Sequence, residues 1–94
     1  MRLRFYSRPV VGHPHIEDHG VSEEEVAQVL RRPGEDRPGA GGSRVAIGQT
    51  ESGRTLRIVY VLDAELDSVF VITAYEVIGK ALVAYRRRRR KRGR

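Results

Sequence analysis

The chain of 94 residues contains no cysteine. That excludes disulfides and thiolate zinc sites as supports for the fold, and it suits a reducing cytoplasm, the expected location. No apolar run approaches the roughly 20 residues of a membrane-crossing helix, so no membrane partner is expected. The opening stretch "MRLRFYSRPV" is basic but has no apolar segment ahead of a small-residue cleavage site, and no signal peptide is expected. Acidic residues are missing from the other end. From Arg86 to Arg94 eight of nine side chains are basic and none is acidic, a net of +8. Residues 1–85 hold ten Lys/Arg and twelve Asp/Glu, a net of −2, so the whole excess of +6 resides in the last nine residues. Such a concentration attracts polyanions, whether RNA, DNA or anionic lipid. The plainer alternative is a solvated tail that binds polyanions weakly and without selectivity.

Several chemical signatures are also missing. "GAGGS" follows a loop rather than a strand and is no nucleotide-binding fingerprint, and no serine sits in a nucleophile-elbow context. His13, His15 and His19 lie close together, but "HPHIEDH" has no metal-ligand spacing, so neither a metal nor a cofactor is expected. Ninety-four residues make a single small domain with a modest core.

Periodicity supplies the elements. "RLRFYS" alternates Leu3 and Phe5 against Arg2, Arg4 and Tyr6, as a strand does. "HIEDH" reads as one helical turn closed by Gly20. "GVSEEEVAQVLRRPG" is the best-signalled segment. Ser22 is a natural N-cap, Glu25 completes a capping box, Val21 and Val26 have staple spacing, and Pro33-Gly34 stops the helix. "PGEDRPGAGGS" reads as a flexible loop, either a mobile binding loop or a spacer. "RVAIGQT", "TLRIVYVL" and "SVFVITAY" read as three strands of an antiparallel meander, the last of them central. In the second, Leu56, Ile58, Tyr60 and Leu62 share one face and Arg57 lies on the other. A closing helix begins near Gly79 or Lys80, with Ile78, Leu82 and Tyr85 as its stripe, and like charges predict fraying beyond Tyr85. The expected fold is α+β: an antiparallel four-stranded sheet with a covering helix and a C-terminal basic helix. Residues 1–85 form the domain, and 86–94 form a basic tail that continues the last helix.

Together, "HIEDHGVSEEEVAQVLRRP", "RVAIGQTESGRTLRIVYVL" and "VFVITAY" resemble the BrnT-like toxins and a related uncharacterised family, within the broader RelE/ParE toxin superfamily. The resemblance spans roughly residues 15–86. It implies a RelE-like sheet and a metal-independent endoribonuclease of a type II toxin–antitoxin system. In such an enzyme the RNA 2′-hydroxyl attacks the adjacent phosphate, while the protein supplies a base, an acid and positive charge. It also implies RNA, free or on the ribosome, and an acidic antitoxin as partners. Carried over to this sequence, Arg57 is the phosphate-stabilising candidate, His15 an acid or base, and Tyr85 the closing-helix tyrosine. Lys80, Arg86, Arg87, Arg88, Arg89, Arg90, Lys91 and Arg92 would hold the RNA. Two positions depart from the pattern: Tyr75 stands where relatives often have arginine, and Leu82 falls near their usual glutamate. Two further readings stay open. One is a non-enzymatic nucleic-acid-binding module in which the tail carries the affinity. The other is a protein-interaction domain whose basic helix docks an acidic partner.

Overall fold

A computed structural model of the chain describes residues 2–6, 15–64 and 67–92, without the side chains of His15, Asp18 and Arg92. Its strands are β1 (Arg2–Phe5), β2 (Glu35–Pro38), β3 (Arg44–Gln49), β4 (Thr55–Asp63) and β5 (Ser68–Glu76). Its helices are α1 (Glu23–Arg31) and α2 (Gly79–Arg92), with a 3-10 turn at His15–His19. One mixed sheet runs in the order β1-β5-β4-β3-β2. The pairs from β2 to β5 are antiparallel, and β1 lies parallel to β5. Among the described residues no helix is long and apolar enough to cross a membrane.

The α+β class matches the pattern of elements, but the sheet has five strands rather than four and is mixed rather than antiparallel. The additional strand, β2, lies inside the glycine- and proline-rich stretch expected to be a loop. Only Glu35 of its four residues is buried, so it has no alternation of apolar side chains to read. It is an edge strand, where Pro38 is tolerated because its missing N–H withdraws nothing from an inner ladder. The parallel pairing of β1 joins Leu3 to Val69 across the length of the chain, and local patterning carries no record of such a contact.

The α1 side of the sheet forms as its sequence dictates. Ser22 caps α1, its hydroxyl accepting from the Glu25 N–H (3.1 Å), while Glu25 accepts from the Ser22 N–H (3.0 Å). The box satisfies two of the donors that a helix start leaves open. Val26 and Val29 then pack on Ala46, Leu56, Ile58, Val71 and Ala74, and Ile16 and Val21 seal the end. Leu62 was expected on the same face, but its strand outruns the cover and leaves it 57% exposed.

The other face carries a second, smaller core in which Val45, Ile47, Val77 and Tyr85 meet Val59 and Leu82. Gly79, at φ +63°, turns the chain from β5 into α2. Ile78 precedes that turn and is exposed, so Val77 takes the inward place expected of it. The helix stays regular to Arg92 rather than fraying after Tyr85, because its arginines are tied back to the body, as described below. The Tyr85 ring lies over Gly34, and a Cβ at that glycine would overlap the tyrosine hydroxyl. Gly34→Ala should therefore lower stability by about 1–3 kcal/mol through overpacking, read as a fall in the urea midpoint. Adding Tyr85→Phe should recover part of the loss.

Candidate nucleic-acid interface

The attachment of α2 rests on a carboxylate. Glu35 is 5% exposed at the start of β2. It accepts from Arg37 Nη1 (3.0 Å) and Arg88 Nη2 (3.0 Å), and Arg88 Nε completes a two-pronged contact. The bond to Glu35 is the first cause raising the Arg88 pKa above its ordinary value. The next residue, Arg89, donates from Nη1 to the Gly34 carbonyl (3.0 Å). Tyr85 lies between these contacts, and burial raises its pKa above the usual tyrosine value.

Glu35, Ile47, Arg57 and Tyr75 form one row across the sheet, each opposite the next. The row explains the state of Arg57. Neighbouring strands lie about 4.8 Å apart, so Glu35, two strands away, stands roughly 10 Å off, with Ile47 between and two guanidiniums already upon it. Arg57 forms no ion pair among the described residues, and its buried Nε has no hydrogen-bond partner. It lines a cleft of about 390 Å³ between the sheet and α2, together with Arg37, Tyr75, Glu76, Ala81 and Arg88. Glu76, the carboxylate in the described lining, is directed to Arg54 Nη2 (3.5 Å). Of the three guanidiniums in the described lining, Arg37 and Arg88 are engaged by Glu35, which leaves that of Arg57 to meet an anion. Tyr75 is the direct cross-strand partner of Arg57, with Cβ atoms about 4.5–5.5 Å apart by sheet geometry. Its ring meets that of His19 edge-on, with centroids 6.2 Å apart.

The expected site residues are not gathered in one place. Arg57 lines the cleft. Tyr85 is 6% exposed and lines different clefts, on the α1 side of α2. His15 lies in the 3-10 turn, and its side chain is outside the described residues. Lys80, Arg86, Arg87, Arg89, Arg90 and Lys91 are exposed along α2, while the Arg92 side chain lies outside the described residues. Arg88 was grouped with the RNA-holding residues, yet its guanidinium is engaged by Glu35. Sequence reasoning missed Arg37, Tyr75 and His19 as neighbours of this cleft. The hairpin register that sets Tyr75 opposite Arg57 was the signal available for the second of these.

No family model, curated protein or solved structure matches this chain. The reading of the site therefore stands on its geometry.

Glu35→Ala should release α2 rather than unfold the sheet. Arg37 and Arg88 are each nearly half exposed and can turn to water, so the loss should be about 1–2 kcal/mol. The measurement is amide hydrogen exchange. Protection should fall along α2 while β4 and β5 keep theirs, and equal loss in both would show that Glu35 has no special hold on the helix.

Proposed function

We propose that the protein is a toxin of the type II toxin–antitoxin class, a metal-independent endoribonuclease that binds RNA through α2 and cleaves it at the Arg57 cleft. The observation that carries this reading is Arg57 itself: a guanidinium with a buried, unpartnered Nε, in a cleft beside an exposed basic helix. A RelE-like fold belongs to the same reading. It is supported by the antiparallel meander β3-β4-β5 with a basic helix laid across one face.

In the reaction, the 2′-hydroxyl oxygen bonds to phosphorus as the bond from phosphorus to the 5′-oxygen breaks. The products are a 2′,3′-cyclic phosphate and a 5′-hydroxyl. A base takes the proton from the 2′-hydroxyl and an acid returns one to the leaving oxygen. Arg57 offers N–H donors to the non-bridging oxygens, whose charge grows toward the transition state. Tyr75 is the proton-transferring group within reach of the same phosphate, and His19 positions its ring. Tyr85 has a packing role. RNA, free or on the ribosome, is the substrate, an acidic antitoxin is the partner, and the cytoplasm is the location. The commitment of Tyr85 and Arg88 to packing favours a second reading, a binding module without chemistry in which α2 supplies all the affinity.

The test is induced expression in a bacterial host, following growth and RNA integrity together. Arg57→Ala should abolish growth arrest and slow cleavage by the purified protein about 100–1,000-fold, the loss typical of one transition-state donor. Its thermal stability should be unchanged or slightly higher, because an unpartnered buried donor is removed. A companion variant replaces Arg86, Arg87, Arg90 and Lys91 with glutamine. Truncation after residue 85 would not serve, since it also removes the Arg88 anchor. Intact RNA and normal growth with the wild-type protein would transfer the case to the binding module.

A further inference from the structure

Two clefts lie on the other side of α2 from Arg57. One, of about 540 Å³, is walled by the end of α1, the β3–β4 turn and α2; the other, of about 300 Å³, continues along α2. They share Gln49, Tyr85 and Arg89, and so form a single groove. Arg31 and Arg32 enter it from α1, and Arg86, Arg89 and Arg90 from α2. Among the described residues Glu51 is the only acidic one in its lining, so the described groove carries five positive charges against one negative.

These arginines are poorly compensated. Arg31 meets the exposed Glu24 at only 3.7 Å, a surface contact worth little. Arg89 donates to the neutral Gly34 carbonyl, which leaves its charge unbalanced. Arg31 and Arg32 in a last helical turn are ordinarily explained by the helix dipole. That account does not require the helix end to face three further guanidiniums, those of Arg86, Arg89 and Arg90, across a common groove. The rest of the described lining is Pro33, Gly34 and the amides and hydroxyls of Gln28, Gln49, Thr50 and Thr55, with the Tyr85 ring as its large aromatic surface. The wall is fixed in place, because Gln28 accepts from the Glu51 N–H at 3.0 Å and ties α1 to the β3–β4 turn.

We propose that this groove is a second binding site for the RNA, which holds a single-stranded segment of its phosphate backbone between Arg31–Arg32 of α1 and Arg86, Arg89 and Arg90 of α2. The inference rests on the RNA reading above and adds α1 to an interface that the basic run alone would confine to the C-terminal helix. α2 then lies between two anion-binding surfaces, the groove that grips and the cleft that contains Arg57. A positively charged groove with amide and hydroxyl walls suits a flexible single strand, which can follow its curvature, better than a rigid duplex.

The experiment measures binding of a short, single-stranded 2′-O-methyl RNA, which cannot be cleaved, by fluorescence anisotropy over a range of salt. The proteins are wild type, the double variant R31S/R32S, and Arg2→Ser as a control for charge loss away from the groove. Circular dichroism melting checks that each is folded, and all three replaced side chains are exposed. R31S/R32S should bind about tenfold more weakly, with a salt slope shallower by about 1.4, which is two single-strand phosphate contacts. Arg2→Ser should leave both nearly as they are. Binding by R31S/R32S equal to wild type at every salt concentration would overturn the groove and leave the RNA reading intact. No binding by the wild-type protein would overturn both. Weakened binding by R31S/R32S, with no cleavage of unmodified RNA by wild type, would support the groove and remove only the enzymatic reading.

Discussion

Glu35 is buried at the sheet edge, and a carboxylate there remains charged only with partners around it. Arg37 comes from its own strand and Arg88 from α2, about two and a half helical turns beyond the start of that helix. The core beneath α2 is small, with Val45, Ile47, Val77, Tyr85 and two partly buried neighbours. Apolar burial on that scale sets how closely the helix can approach but specifies its rotation weakly. The two-pronged contact between Arg88 and Glu35 supplies the angle, and the fit of Tyr85 over Gly34 supplies the depth. With these in place Arg86, Arg90 and Lys91 project into solvent, and the surfaces on both sides of α2 are defined.

The same carboxylate governs Arg57 by being occupied. A guanidinium in a sheet interior ordinarily finds an acid, and the nearest in its row is already taken by two arginines. A buried Nε–H without a partner works against stability by about 1–3 kcal/mol. A fold that holds such a group beside a cleft is consistent with an external anion completing it. That is the physical basis for proposing that the reacting phosphate meets Arg57 rather than Arg86, Arg87 or Arg90 of α2, which are exposed to solvent. In the proposed function affinity and chemistry are divided: the exposed arginines draw a polyanion in, and Arg57 meets one phosphate of it.

The parts of this arrangement legible in the sequence are those set by local rules. The capping box at Ser22 and Glu25, the stop at Pro33, the β3-β4-β5 meander and the start of α2 near Gly79 all follow from patterns a few residues long. β2 was hidden because its only buried residue is charged, so a strand of Glu, Asp, Arg and Pro carries the composition of a loop. The parallel pairing of β1 and the anchoring of Arg88 by Glu35 were hidden because both join residues more than fifty positions apart. Arg57 was singled out from its strand and from resemblance. Its cleft, with Tyr75 opposite and Tyr85 on the far side of α2, required the register and the helix position together. In a run of five arginines nothing marked Arg88 as different from its neighbours, since the difference lies in Glu35.

The central claim is that Arg57 is held without a partner so that a phosphate can supply one. The most direct test follows the arginine side-chain Nε–H signals by nuclear magnetic resonance while a short 2′-O-methyl RNA is added. The Arg57 Nε–H should shift saturably and gain protection from exchange, while that of Arg88, held by Glu35, stays in place. Shifts confined to the exposed arginines of α2, with Arg57 unmoved at saturation, would contradict the account.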